Sequence, residues 1–207
     1  MRREIVIALR ATLVTLILTG LLYPLATTGA AELLFGERAN GSLVRNENGQ
    51  VVGSELIGQA FASPAYVQGR PSAAGNNGYD ATASSGSNFG TTSKKLRDRA
   101  TVDVARLGKE NPHAPLPIPD ALVTASASGL DPELPPEAAV WQAPRIARTR
   151  NITEDRIREV IDNHVQGRDL GFLGEARVNV LELNLALDQQ FGRPPTLPAS
   201  ATVAGTR

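Results

Sequence analysis

Between Arg10 and Glu32 the chain carries no charged side chain. A helix over residues 11–31 would reach about 30 Å at 1.5 Å per residue, the thickness of a bilayer's hydrocarbon core. The sequence therefore predicts a transmembrane helix over residues 11–34, with everything after it on one side of the membrane. Arg2, Arg3 and Arg10 precede the stretch, whereas Glu32, Glu37 and Arg38 follow it. The excess of basic residues before the span assigns residues 1–10 to the cytoplasm. Residues 35–191 are then a periplasmic domain and residues 192–207 a disordered tail rich in Pro, Thr, Ala and Ser. A second reading stays open. Thr28, Gly29 and Ala30 form a small-x-small cleavage site, which would release a free periplasmic module that binds a small polar ligand.

Ala8, Thr12, Thr15 and Thr19 recur at helical spacing within or beside this segment. Small and hydroxyl side chains on one stripe let a partner helix approach closely. The same hydroxyls can instead bond carbonyls of their own helix, and the pattern alone supports both readings. Pro24 should disturb the helix near its outer edge, because it lacks an N–H and its ring crowds the carbonyl four residues earlier.

About 175 residues follow Glu32, enough for one domain with a real core. Lys plus Arg and Asp plus Glu stand at 21 each, so no global field draws nucleic acid. The absence of cysteine removes disulfides, thiolate metal sites and a cysteine nucleophile. At 4% aromatic residues there is little material for a stacking platform.

The reading along the chain is α+β. Residues 42–44 and 50–54 flank Asn-Glu-Asn-Gly and predict a hairpin. Ser54 precedes a short predicted helix over 55–61, and residues 65–68 read as a strand. Residues 72–92 are rich in Ser, Gly and Asn, and Tyr79 and Phe89 anchor them as an ordered loop. Leu96, Ala100, Val104 and Leu107 predict a helical face opened by Thr92 or Ser93 and closed by Gly108. A Pro-rich joint follows, then a turn at Ser126, Ser128 and Gly129. The next helix opens at Pro135 or Pro136 and is kinked by Pro144. Thr153 opens another, with Ile157, Val160 and Ile161 facing inward and Gly167 at its exit. Residues 179–187 alternate like a strand, but Asn179 and Glu182 form a capping-box start that favours a helix with Val180, Leu183, Leu187 and Phe191 on one face.

Sites for chemistry are sparse. Gly86 to Lys94 lacks the spacing of a P-loop, and no Asp-Lys-Thr-Gly stretch offers an aspartyl phosphate. His113 lies in the Pro-rich joint and His164 has no ligand four residues away, so neither predicts a metal centre. Ser126 and Ser128 lack a nucleophile elbow. One span without a re-entrant loop cannot build a potassium filter. Trp141 reads as core, and Gln142 as a partner for neighbouring backbone. No catalytic residue and no metal site are assigned.

Five strings carry a family resemblance: GSELIGQAF at 53–61, RPSAAG at 70–75, SGSNFG at 85–90, LVTASASGLDP at 122–132 and LGFLGEARVNVLELNLALD at 170–188. With the preceding apolar segment, they resemble the C subunit family of the Kdp potassium-transporting P-type ATPase, KdpC, from the first span to about Asp188. Ala127 stands where that pattern often has Gly, Glu133 where it has His, and Ala176 where it has Pro. The resemblance singles out Arg70, Pro71, Ser87, Asn88, Ser126, Ser128, Gly129, Gln142, Asn179 and Asn184 as family-motif positions without an assigned role. It implies a subunit of a bacterial inner-membrane complex. Its partners there are a potassium-channel-like subunit, a P-type ATP-hydrolysing subunit, a small single-span subunit and the lipid bilayer. It also implies a catalytic chaperone that raises ATP affinity of the hydrolysing subunit, with ATP acting in the complex and potassium as the transported ion.

Overall fold

The computed structural model describes residues 1–46 and 48–194. The chain is α+β and divides into two units, Met1–Ser54 and a second beginning at Glu55.

The first unit is built on a helical run from Arg2 to Ala39, long and apolar enough to cross a membrane. It comprises α1 (Arg2–Ile17), a π turn (Leu18–Leu22) and α2 (Tyr23–Ala39). None of its side chains is buried against protein in α1, the π turn or α2. The helix continues past the uncharged stretch at both ends. The π turn sits immediately before Pro24, and the Tyr23 N–H donates to the Leu18 carbonyl five residues back. That wider turn accommodates a residue that has no N–H for the Gly20 carbonyl and whose ring would crowd it. Phe35, at φ −139° and ψ 39°, marks a second break in helical geometry.

Strands β1 (Leu43–Arg45) and β2 (Val51–Ser54) form the expected antiparallel hairpin, with Leu43 opposite Ser54 and an irregularity between Val44 and Arg45. Asn46 organises the turn. Its Oδ1 accepts from the Asn48 and Gln50 N–H groups at 3.0 Å each, while Gly49 takes φ +76°. Glu47 in this turn, and residues 195–207 of the expected tail, lie outside the described residues.

The second unit contains α3 (Lys94–Glu110), a 3₁₀ turn (Asp120–Leu122), β3 (Glu133–Leu134), α4 (Pro136–Trp141), α5 (Ala143–Arg150), α6 (Glu154–Asn163), β4 (Val178–Asn179) and α7 (Val180–Phe191). β3 and β4 pair antiparallel, Leu134 opposite Val178. The core lies where α4, α5, α6 and α7 meet this two-stranded ladder, and Leu134, Ile146, Ile157, Ile161, Leu183 and Leu187 are fully buried in it. α4 and α5 part at Gln142, and Pro144 stands in the first turn of α5, where it has no N–H to offer the Val140 carbonyl and so cannot continue the α4 bonding. α7 starts at the predicted cap: Asn179 Oδ1 accepts from the Leu181 and Glu182 N–H groups at 3.0 and 3.2 Å.

Five expectations need correction. α6 ends at Asn163 with His164 as its cap, short of the expected exit at Gly167. Residues 55–61 form no helix. The Gly58 N–H donates to the Leu130 carbonyl at 2.8 Å, and a Cβ on Gly58 would stand 2.5 Å from the Asp131 carbonyl oxygen, so close pairing with the 130–131 backbone displaces the local helix. With no helix there, Ser54 is not an N-cap; its hydroxyl donates to the Gly41 carbonyl at 2.7 Å. Residues 65–68 join no ladder; the Tyr66 N–H closes a turn onto the Ser63 carbonyl at 3.2 Å. Finally, α3 does form after Ser93, yet it runs through Gly108 to Asn111, and of its predicted face only Leu107 is buried while Val104 is exposed. Asn111 replaces Gly108 as the stop, its Nδ2 donating to the Leu107 carbonyl at 3.0 Å.

Candidate functional site

Ala65 and Val67 are buried, and Tyr66 and Gln68 half-buried, in the second unit without a neighbouring strand, so their backbone groups must find partners elsewhere. Side-chain amides and guanidinium groups supply them. Asn184, on α7, accepts from the Val67 N–H at 2.8 Å and donates to the Val67 carbonyl at 2.9 Å. Gln142, at the α4–α5 break, does the same for Gln68, at 2.9 and 3.0 Å. Each primary amide thus presents the donor and acceptor that a neighbouring strand would have offered. Gln142 and Asn184 are 1% and 2% exposed, so these bonds are made away from water.

Two arginines complete the clamp from α5. Arg145 donates to the Tyr66 carbonyl at 3.0 Å and to Gln142 Oε1 at 2.7 Å, which fixes the orientation of that amide. Burial pushes its guanidinium down to about 10, which still leaves it charged at neutral pH. Arg150 donates to the Ala65 carbonyl at 2.8 Å, pairs with Asp188 at 2.8 Å and lies over the Tyr66 ring, 5.0 Å from its centre. The Tyr66 hydroxyl donates to Asp188 at 2.8 Å. Burial first, and that hydrogen bond second, push the phenol up to about 12.

The Ser/Gly/Asn segment is an ordered loop seated on the 124–131 turn. Ser72 Oγ donates to the Gly129 carbonyl at 2.5 Å and accepts from the Tyr79 N–H at 2.7 Å. Ser84 donates to the Ser128 carbonyl at 3.0 Å and Ser85 to the Ala73 carbonyl at 3.0 Å. Gly129, at φ +67°, lies where a Cβ would come within 2.5 Å of the Ser85 carbonyl oxygen and 2.7 Å of the Ala74 nitrogen, so the two backbones touch only because it is glycine. Ser128 Oγ accepts from the Leu130 N–H at 3.1 Å, and Ser126 is buried beside it. Ser128 therefore serves the turn. Asn88 takes φ +51°, and Ser87 is half-buried next to it.

A cleft of about 450 Å³ opens beside the clamp, lined among others by Gln68, Arg70, Pro71, Tyr79, Arg106 and Gln142. Its cations are already engaged. Arg70 pairs with Asp131 at 3.2 Å, and Arg106 with Asp103 and Glu110 at 3.3 and 3.2 Å. Tyr79 closes one wall, its hydroxyl donating to the Arg70 carbonyl at 2.5 Å; burial pushes this phenol, too, up to about 12. The lining thus balances Arg70 and Arg106 against Asp103 and Glu110, and the Arg70 Nε is buried with no hydrogen-bond partner.

Of the positions singled out by sequence, Arg70, Pro71 and Gln142 meet at this cleft, and Asn184 joins Gln142 through the 67–68 backbone. Ser128 and Gly129 meet the Ser/Gly loop, and Asn179 caps α7 while its Nδ2 donates to the Glu55 carbonyl at 2.8 Å. Ala8, Thr12, Thr15 and Thr19 belong to the other unit and are exposed on α1 and the π turn. Thr19 Oγ1 donates to the Thr15 carbonyl at 2.8 Å, the intrahelical bond. Among the described residues no three His, Asp or Glu side chains converge on a metal position. Sequence reasoning missed Arg145, Arg150, Tyr66 and Asp188. The two arginines read as basic residues on an amphipathic helix, a signal indistinguishable from a solvated face, and nothing local pairs Tyr66 with Asp188 across 122 positions.

Residues 5–189 match the family described as K+-transporting ATPase, c chain (KdpC). The chain is 58% identical over 200 residues to the potassium-transporting ATPase KdpC subunit of Myxococcus xanthus, covering 97% of this chain and 93% of that one. It is 52% identical over 188 residues to the subunit of the same name from Methylobacterium nodulans, covering 86% and 92%. With that of Koribacter versatilis it shares 48% over 188 residues, covering 91% and 95%.

Proposed function

Because the chain belongs to the KdpC family, the c chain of K+-transporting ATPases, we propose that it is the accessory, non-catalytic subunit of an ATP-driven potassium uptake complex. The single observation that carries this reading is one uninterrupted match over residues 5–189, which takes in both the apolar helix and the second unit. Its partners are a channel-like subunit that selects potassium, a P-type subunit that hydrolyses ATP and a small single-span subunit. The helix, with the Ala8, Thr12, Thr15 and Thr19 stripe, packs against partner spans, and residues 35–191 lie in the periplasm over the potassium entry face.

The subunit acts as a catalytic chaperone that raises the apparent ATP affinity of the hydrolysing subunit. With the amino terminus cytoplasmic, the second unit cannot touch cytoplasmic ATP. The effect then travels as a preference of this subunit for the pump state that binds ATP more tightly, because a ligand shifts an equilibrium only through its differential affinity for the two states. The paired charges around Arg70 support this indirect route.

The complex purified with and without this chain tests the proposal. Omission is expected to raise the KM for ATP in potassium-stimulated hydrolysis and to loosen association of the other subunits. Unchanged KM and unchanged integrity refute it. A reporter fused after Gly192 is expected to be active only on the periplasmic side, and activity in the cytoplasm refutes the topology.

A further inference from the structure

Helix α3 buries one side chain in the second unit, Leu107 near its carboxyl end. On the side turned away from Leu107, Lys94, Asp98, Val102, Ala105 and Lys109 follow one another at three- and four-residue steps with Lys95 beside them, and all six are exposed. Arg97 and Arg99 flank this face. Among the described residues the ion pairs of α3 are those of Arg106 with Asp103 and Glu110. Lys94, Lys95, Arg97, Arg99 and Lys109 stand outside them, against one free carboxylate, Asp98. We infer that the outer face of α3 lies on the anionic phospholipid surface of the membrane that the Arg2–Ala39 helix crosses. The inference rests on that crossing, and on neither the accessory-subunit reading nor the side of the membrane that the second unit occupies.

The surplus of positive charge is local. The chain as a whole balances 21 basic against 21 acidic residues. An ordinary solvated helix of the same chain interleaves the signs: on α6, Glu154, Asp155, Glu159 and Asp162 stand among Arg156 and Arg158, and Arg158 pairs with Glu154. The flanking arginines of α3 have partners that leave their charge uncompensated. Arg97 donates to the Thr92 carbonyl at 3.1 Å, and the Arg99 guanidinium lies 5.9 Å from the centre of the Phe89 ring. Five such cations along about 25 Å of helix repel one another, a cost that a negative surface removes.

The make-up of the face selects the occupant. The centre of a protein interface is apolar or aromatic and depleted in Lys. Here lysines occupy the face itself, and Val102, 67% exposed, is its one large apolar side chain. A fluid sheet of phosphodiesters needs no apolar anchor. It attracts clustered basic side chains beside a span by about fivefold in binding for each Lys or Arg. Lysine stems can also lie along the headgroup layer while the ammonium reaches a phosphate. Connectivity adds to this. A chain held by a bilayer-crossing helix keeps its second unit within reach of the surface, so an attraction too weak to recruit a free protein is enough.

The full-length chain reconstituted in lipid nanodiscs tests this. Because the chain has no cysteine, Val102→Cys accepts a single fluorophore. The probe surface is phosphatidylcholine with or without phosphatidylglycerol, doped with a headgroup spin label that quenches on contact. Quenching is expected with phosphatidylglycerol, and is expected to vanish without it or at about 1 M salt, where the screening length falls to about 3 Å. Lys94→Gln, Lys95→Gln and Lys109→Gln together are expected to lower the docked-to-undocked ratio about a hundredfold. The unfolding midpoint read by Trp141 fluorescence is expected to stay unchanged, because the three side chains are exposed and unpaired. Equal quenching in both discs, or a phosphatidylglycerol dependence that survives the triple substitution, overturns the inference. Displacement by free glycerol phosphate at constant ionic strength overturns it in favour of a soluble-anion site, and loss of quenching once partner subunits are bound overturns it in favour of a protein occupant. A chain that stays with neither disc refutes the membrane crossing and the inference with it.

Discussion

Replacing Asn184 should cost far more than its position on an ordinary helix suggests. Its amide satisfies both backbone groups of Val67 at 2.8 and 2.9 Å, and Val67 is fully buried. Asn184→Ala removes both partners and leaves two orphaned groups at about 1–3 kcal/mol each. A small residual void adds to this, for a total of about 4 kcal/mol. Asn184→Leu fills the space and recovers about 1–2 kcal/mol of apolar burial, so about 2–3 kcal/mol of destabilisation is expected. Against a typical total of roughly 5–15 kcal/mol, either loss is large. Asn179→Ala is the comparison: it removes a helix cap worth about 1 kcal/mol and the hydrogen bond to the Glu55 carbonyl worth about 1 kcal/mol more. The single tryptophan, Trp141, is buried with its Nε1 donating to the Pro115 carbonyl at 2.7 Å, and reports unfolding of this unit in detergent-solubilised chain. With a urea slope near 2 kcal/mol per molar, Asn184→Ala is expected to lower the midpoint by about 2 M. If Asn184→Leu falls within about 0.5 M of the parent while Asn179→Ala moves further, the amides are not standing in for a strand.

Gly129→Ala is expected to destabilise by more than about 2 kcal/mol, since the new Cβ meets backbone on two sides at positive φ; the Trp141 unfolding midpoint measures it. The raised phenol of Tyr66 makes the folded state hold its proton after the unfolded chain has released it, so stability falls as pH rises from about 10 to 12. In Tyr66→Phe that fall is expected to be shallower, as urea midpoints at pH 9, 10 and 11 would show. Leu at Thr12, Thr15 and Thr19 together is expected to weaken co-purification with partner subunits, and unchanged recovery removes the stripe from the interface. Pro24→Ala is expected to restore regular α-helical bonding through residues 18–23, visible as slower amide exchange at Tyr23.

Helices whose ends are written in local chemistry were legible: Asn179 caps α7, Pro144 ends α4, and Thr153 precedes α6. The 42–54 hairpin was legible for the same reason, with Asn46 and Gly49 closing it locally. Residues 55–61 misled because the pairing that decides them, Gly58 with Leu130, lies far along the chain. Residues 65–68 look like a strand, yet they open in a turn and the partners that replace a ladder come from residues 142, 145, 150 and 184. Alternation along a strand says that a segment is extended and buried, and says nothing about who bonds it. Gln142 was read as a partner for backbone, but nothing local distinguished Gln68 as its target. β3 and β4 were missed because two-residue strands have no period to detect.

With no cysteine available, the clamp does the work of long-range cross-links. Its hydrogen bonds join residues far apart: Tyr66 to Asp188 across 122 positions, Val67 to Asn184 across 117, and Gln68 to Gln142 across 74. A disulfide acts chiefly on the unfolded chain, whereas these bonds exist only when α5, α7 and the 65–68 segment are all in place. They couple the formation of these elements to one another instead of merely tethering the chain. Under the proposed function that property has a use. A subunit that favours one pump state by packing must answer a partner's movement as a body with discrete arrangements, because a compliant contact deforms with the partner and favours neither state. The amide clamp, sealed from water and shared between helices, makes the second unit such a body. Softening it by Gln142→Ala should therefore reduce the ATP-affinity effect even in complexes that retain the subunit, and an unchanged KM for ATP in those complexes would separate rigidity from function.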